Sequence, residues 1–163
     1  MVLQNPRMAH RCCPYILLLA CVGLNLAQVP PARAGLGYDA ASVQSDADDL
    51  HGVAQVTSLR QYAVYEIDSG SGMQVREYVD RSGTVFAIAW VGPAVPDLRG
   101  LLGMHFAAYS EALARMSLPG RHRMLRVASP ELVVESDGHL RAYRGRAYLP
   151  ALVPAGIAAA DLR

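Results

Sequence analysis

The sequence has no cysteine after residue 21, since its three cysteines are Cys12, Cys13 and Cys21. A mature chain that begins after these residues has no disulfide, no thiolate metal site and no cysteine nucleophile. The catalytic patterns H-E-x-x-H and G-x-S-x-G and the phosphate-binding P-loop are also absent. A length of 163 residues leaves no room for a catalytic barrel, a two-domain nucleotide enzyme or a repeat array.

The composition is that of a globular chain, with 52% hydrophobic and 18% charged residues. Its amino-terminal segment has the pattern of an export signal. A basic stretch precedes the apolar run Tyr15–Ala27, and the cleavage motif Ala32-Arg33-Ala34 follows. The run is shorter than the roughly 20 residues that span a membrane, so we expect no transmembrane span in the mature chain. We predict a cleaved signal peptide at residues 1–34 and a single domain at residues 35–163, in the periplasm or outside the cell.

The same segment supports an alternative, a lipoprotein signal. Leu18-Leu19-Ala20-Cys21 is close to the L-x-[AG]-C pattern that precedes a lipid-modified cysteine. Apolar residues nevertheless continue past Cys21 to the cleavage motif described above. In this alternative the protein would be anchored to a membrane through Cys21.

Beyond residue 34, hydrophobic patterns predict strands. Leu59–Asp68 and Met73–Asp80 flank a glycine-rich turn and predict a hairpin. Within the second run the apolar residues alternate with polar ones, and Glu77 is the exception because it falls on the apolar face. The run Thr84–Val91 is apolar on both faces, which predicts the central buried strand.

A helix is predicted after Asp97, which can act as its N-cap. Its apolar residues recur every three or four positions and form one stripe: Leu98, Leu102, Phe106, Tyr109, Leu113 and Met116. Further strands are predicted at Met124–Val127, at Leu132–Glu135 and, after a turn at Ser136-Asp137-Gly138, at His139–Tyr143. The predicted fold class is α+β, an antiparallel sheet of about five or six strands with one long helix packed on one face.

These residues resemble a bacterial family catalogued as domain of unknown function 2844. The resemblance is carried by Val75-Arg-Glu-Tyr-Val79, by Val85-Phe-Ala-Ile-Ala-Trp90, and by the closing pattern Tyr148-Leu-Pro150 through Asp161-Leu-Arg163. It implies an exported bacterial protein of unassigned activity. It therefore carries over no catalytic residue.

Charge is distributed unevenly along the chain. Lysine is absent, and residues 35–114 hold 4 arginines and 10 acidic residues, whereas residues 115–163 hold 8 arginines and 4 acidic residues. The two segments can pack against each other, or the second can present a basic surface to an anionic envelope component such as a lipid head group or acidic glycan. Arg121, Arg123 and Arg126 are the predicted binding residues of that surface. Nucleic acid is not expected as a partner of an exported protein without a binding motif.

Two clusters suggest other chemistry. Asp68-Ser69-Gly70 ends a strand as in aspartic proteases, where two carboxylates share a proton. This chain offers one such motif, so a protease would need a dimer, and the same residues are typical of a hairpin turn. Asp46, Asp48, Asp49 and His51 do not have the spacing of a calcium loop and are expected to form an acidic surface.

The leading hypothesis is a non-enzymatic binding or assembly module of the bacterial envelope, without a cofactor or metal. Its partner would be an envelope protein or an anionic envelope component. The alternative is a dimeric aspartic-protease-like hydrolase that uses Asp68 as its catalytic residue.

Overall fold

Seven antiparallel strands form one sheet in the computed structural model, which describes residues 35–116 and 124–163. The predicted signal peptide and two of the three predicted binding residues, Arg121 and Arg123, lie outside these ranges. In chain order the strands are β1 (Gly52–Ser58), β2 (Tyr62–Ser69), β3 (Met73–Asp80), β4 (Val85–Gly92), β5 (Met124–Ala128), β6 (Val133–His139) and β7 (Ala142–Tyr148). Their spatial order is β1-β2-β3-β4-β7-β6-β5, so β4 is central as predicted.

The strand count corrects the prediction of five or six. The unpredicted strand is β1, whose side chains are mostly exposed, so that its sequence has no marked apolar alternation. The last hairpin is also displaced from its predicted place. Ser136-Asp137-Gly138 lies within β6, and the turn falls at Leu140-Arg141, where Arg141 has a φ of 64°. Residues of turn composition thus continue the strand, since β6 pairs with β7 out to His139.

Three helices cover one face of the sheet, which we call the helix face. They are α1 (Ser42–Asp49), α2 (Leu98–Leu102) and α3 (Phe106–Arg115). Val43 from α1, Leu102 from α2 and Tyr109 from α3 are buried in one cluster with Ile88 and Val134 of the sheet. This packing confirms the α+β architecture with a helical layer on one face.

The predicted long helix is interrupted. A 3₁₀ turn at Gly103–His105 separates α2 from α3, and Gly103 has a φ of 49°, which glycine adopts at little cost. Asp97 caps α2 as predicted, because its carboxylate accepts a hydrogen bond of 3.0 Å from the backbone N–H of Arg99. The apolar stripe still reaches the core, with Leu102 and Tyr109 buried and Phe106 partly buried.

The opposite face, which we call the open face, is covered at one end by the tail that follows β7. The tail is mostly irregular, with a 3₁₀ turn at Ala159–Asp161. Its Leu162 is buried against Tyr78 and Phe86. The tail leaves the rest of the open face accessible to solvent.

Candidate functional site: an arginine groove on the open face

A groove of about 700 Å³ runs along the open face of the central strands. Ala89 and Val91 of β4 lie on its floor. In the neighbouring strands Arg76 and Arg146 pair with Ala89, and Arg144 pairs with Val91. Paired residues share a face of the sheet, so small central side chains stand between long flanking ones. We call this depression the arginine groove.

One wall of the arginine groove is a cluster of two arginines around one carboxylate. Nε of Arg126 donates to Oε1 of Glu135 at 2.8 Å, and Nη2 of Arg146 lies 2.6 Å from Oε2 of the same residue. These three residues are neighbours on β5, β6 and β7. The hydrogen bond from Arg126, together with Arg146, lowers the pKa of Glu135, so this carboxyl is ionised at neutral pH.

A second ion pair lies on the same wall. Arg144 contacts both carboxylate oxygens of Asp137, with Nε 2.7 Å from Oδ1 and Nη2 3.1 Å from Oδ2. This two-point contact leaves three of the five guanidinium N–H groups of Arg144 for other acceptors. The Arg144 side chain is 73% exposed, so those donors are open to a ligand.

The tail closes one end of the arginine groove. Arg76 bonds Glu66 at 2.6 Å and also donates to the backbone oxygen of Arg163 at 2.8 Å. Tyr78 donates to the same oxygen at 2.9 Å. Arg146 donates to the carbonyl oxygen of Ala159. Arginines of the sheet therefore position the tail as well as line the groove.

The lining is positive overall. Five arginines and two acidic residues contribute to it, and the rest is largely apolar or small. The arginines are Arg76, Arg126, Arg144, Arg146 and Arg163. Such a surface favours anionic groups that accept two hydrogen bonds from a guanidinium, namely carboxylates and phosphates.

Of the binding residues predicted from the sequence, Arg126 lines the arginine groove, and the other two lie outside the described ranges. Arg76, Arg144 and Arg146 were missed. One signal for two of them was present, since Arg144-Gly-Arg146 places two arginines on the same face of a strand. Arg76 is distant in sequence and reaches the groove only through the pairing of β3 with β4.

Asp68, the predicted catalytic candidate, lies near the end of β2 on the open face. It is exposed, and it pairs with Gln74 on one side and Val53 on the other. It does not line the arginine groove. The following turn is closed by the backbone N–H of Gly72, which donates to the carbonyl oxygen of Ser69 at 3.0 Å. The structure thus places Asp68 beside a hairpin turn, and its catalytic role stays a prediction.

A pair of carboxyl groups is buried on the helix face. Asp46 of α1 and Glu77 of β3 are both nearly inaccessible and their carboxyl groups interact, although within the described residues neither oxygen of Glu77 is in hydrogen-bond geometry with a partner. Burial raises the pKa of Asp46 and raises that of Glu77 well above its usual range. We expect two carboxyls buried together in this way to share a proton. The expectation of an acidic surface is therefore wrong for Asp46, whereas Asp48 and Asp49 are exposed.

The family model described as protein of unknown function (DUF2844) matches residues 32–162. The chain belongs to this family. The resemblance found in the sequence is thereby confirmed, and membership in DUF2844 assigns no activity. No curated protein and no solved structure matches the chain.

Two further observations bear on this DUF2844 domain. Within residues 35–116 and 124–163, none of the helices is long and apolar enough to cross a membrane. Over the same ranges, no three His, Cys, Asp or Glu side chains are grouped so that they could hold a metal ion. Its arginines and apolar floor make the arginine groove the candidate site that the described residues support best.

Proposed function

We propose that this protein is an exported, non-enzymatic module of the bacterial envelope that binds an anionic ligand in the arginine groove. Export is supported by the signal pattern in residues 1–34. Binding is supported by the groove itself. The proposal moves the basic surface expected from the sequence onto Arg126 of β5 and Arg144 and Arg146 of β7, the strands on either side of β6.

The observation that carries the proposal is that the groove arginines keep free donors above an apolar floor. The side chains of Arg144 and Arg126 are 73% and 59% exposed, although each already bonds a carboxylate. These contacts fix the orientation of the guanidinium groups. A ligand can therefore bond them at a lower entropic cost than free arginines would require.

The composition of the groove indicates the chemistry of the ligand. Carboxylate or phosphate groups fit the arginine wall, and an apolar portion fits Ala89, Val91 and Leu162. Lipid head groups and acidic glycans both present such anions. The groove is open to solvent along the sheet, so an extended ligand can lie in it.

Binding can be tested with Arg126→Gln combined with Arg144→Gln. The probes are vesicles of phosphatidylglycerol, with phosphatidylcholine as the neutral control, and polygalacturonate, with dextran as the neutral control. We expect affinity for one of the anionic probes to fall at least about tenfold, because two charge-assisted hydrogen-bond donors are lost. The wild-type affinity should also fall as salt is raised.

The matched control is Arg115→Gln. Arg115 is an exposed arginine of α3, on the helical layer, and pairs with Glu111. This variant should bind as the wild type does. Equal binding by all three proteins, or no binding of the wild type to either anionic probe, would contradict the proposed site.

The place of the protein in the envelope has its own test. Mass spectrometry of the processed protein should give a chain that begins at Gly35. A mass that corresponds to a lipid-modified Cys21 would instead support the lipoprotein alternative. Peptide cleavage at acidic pH that disappears in Asp68→Asn would replace the binding proposal with the protease alternative.

A further inference from the structure

The two edges of the sheet differ. At one edge β5 carries Arg126, and a charged side chain opposes pairing with another sheet. At the other edge β1 contains no charged residue, no proline and no register shift against β2. Natural proteins use charged residues, prolines and β-bulges to block pairing at a free edge, and β1 has none of these. Within the described residues, β1 pairs only with β2, so its outer edge is open.

The register shows which backbone groups face outward. Leu59 donates its N–H to the carbonyl oxygen of Tyr62 at 2.8 Å, so these residues form a hydrogen-bonded pair. Hydrogen-bonded and non-hydrogen-bonded pairs alternate along antiparallel strands. The odd-numbered residues of β1 therefore bond β2, whereas Ala54 and Val56 direct their N–H and C=O groups away from it.

Side chains along this edge are also exposed. Val53, on the open face, is 70% exposed, and Val56, on the helix face, is 57% exposed. Open backbone groups flanked by apolar side chains on both faces fit an added β-strand. A partner at this edge would therefore be an extended segment.

We propose that β1 pairs in antiparallel orientation with β1 of a second copy, with the two-fold axis at Gln55. This register pairs every residue of the strand. Gln55 meets Gln55, Ala54 meets Val56, Val53 meets Thr57, and Gly52 meets Ser58. The pairs Ala54 with Val56 unite the outward backbone groups of both copies, and no like charges meet. A strand that is complementary to itself favours a second copy as the occupant.

The pairing makes one continuous sheet and orients both grooves. Directly paired residues lie on the same face, so both open faces are on the same side of the dimer. The two arginine grooves then face the same side and can bind one extended anionic surface or polymer together. The two Asp68 side chains, by contrast, lie three strand spacings apart across the sheet and four residues apart along it, about 19 Å in all, which is too far for a shared proton.

Cysteine cross-linking tests the register directly. With the leader cysteines removed or replaced by serine, Gln55→Cys introduces a single thiol. At a non-hydrogen-bonded pair the two Cα atoms stand about 4.5 Å apart, which is within disulfide range. We expect most of the Gln55→Cys protein to form an intermolecular disulfide on mild oxidation.

The matched control is Val53→Cys. In the proposed register its thiols are four residues apart along the strands, about 13 Å, so it should remain uncross-linked. Leu140→Cys, in an exposed turn at the far side of the sheet, controls for random collision. Preferential cross-linking of Val53→Cys would overturn the proposed register.

The mass in solution gives an independent readout. Light scattering of the purified wild type should give a dimer, and Val56→Lys should give a folded monomer because it places charges at the pair. Leu140→Lys makes the same change at another exposed apolar residue and should leave the dimer intact. A wild type that remains monomeric at millimolar concentration, without a Gln55→Cys cross-link, would overturn the proposal.

Discussion

The two faces of the sheet shift the pKa values of their carboxyl groups in opposite directions. On the helix face Glu77 and Asp46 are buried together, and burial raises both pKa values. On the open face Glu135 lies between Arg126 and Arg146, which lower its pKa. The comparison shows that the environment, and not the residue type, determines whether a carboxyl here carries a charge.

The difference also separates the roles of the two faces. A carboxyl pair without arginines can hold α1 on the sheet only while it keeps a proton. An arginine-bound carboxylate needs no proton and keeps the adjacent guanidinium groups in place for a ligand. The helix face is therefore suited to packing, and the open face to recognition.

The largest expected effect compares two residues of β4. Ile88 is fully buried on the helix face, so Ile88→Ala should lower the free energy of unfolding by about 2–5 kcal/mol. Val91 lies on the exposed groove floor, so Val91→Ala should cost less than about 1 kcal/mol. Urea unfolding of both variants measures the difference. Equal losses would remove the distinction between a packed and an accessible face.

A second prediction concerns Gly145 of β7, which lies beneath the ring of Trp90. A Cβ at this position would overlap the indole and would lie 2.6 Å from the carbonyl oxygen of Glu135. Gly145→Ala should therefore destabilise the fold by about 1–3 kcal/mol, since strand and ring have to separate. Thermal unfolding measures the loss. The exposed Gly70, with open space around it, is the control, and Gly70→Ala should have a smaller effect.

A third prediction uses the buried pair. Its folded pKa values exceed the unfolded ones, so the stability of the pair is fully present below about pH 4 and is lost as pH rises through the folded pKa. Glu77→Gln places an uncharged amide beside Asp46 and so removes one of the two carboxyls that burial disfavours in their charged form. We expect Glu77→Gln to gain stability over the wild type as pH rises, to about 1–3 kcal/mol at pH 8.

The measurement is urea unfolding of Glu77→Gln and wild type between pH 4 and pH 8. Only the difference between the two curves is used, because other groups titrate in both proteins. Parallel curves would contradict a shared proton. Asp48→Asn, which changes an exposed carboxyl of the same helix, is the matched control.

The smallest effect is expected on the open face, with the opposite sign. The pKa of Glu135 is lowered on folding, so its stabilisation is present above about pH 4.3 and is lost as pH falls through the folded value. Glu135→Gln should cost up to about 1 kcal/mol at pH 7 and almost nothing at the acid end. Acid titration of both proteins provides the test. A loss that persists at low pH would have to come from packing instead.

Much of the fold followed from the sequence because its strands are strongly patterned. The bounds of β3 were predicted as observed, and Glu77 was already the exception to its alternation. The strand β1 was missed because an exposed edge strand needs no apolar periodicity. Turn residues at Ser136-Asp137-Gly138 were misleading because pairing with β7 outweighed their local preference.

The candidate site was less predictable than the fold. Its arginines come from three strands and the tail, so only the strand order brings them together. The buried pair was equally hidden, because Asp46 stood in an acidic stretch typical of a solvated helix. Glu77, which interacts with Asp46, and Arg163, which bonds Arg76, are both distant in sequence from these residues. Proximity of this kind depends on strand order and not on motif spacing.

The single tryptophan offers a built-in optical probe. Trp90 is buried over Gly145 in the middle of the sheet, while its neighbours Ala89 and Val91 form the groove floor. Its emission should be blue-shifted in the native protein and should move to longer wavelength on denaturation. A ligand bound on that floor would contact residues adjacent to Trp90. Ligand binding to the native protein can therefore be followed by tryptophan fluorescence without an attached dye.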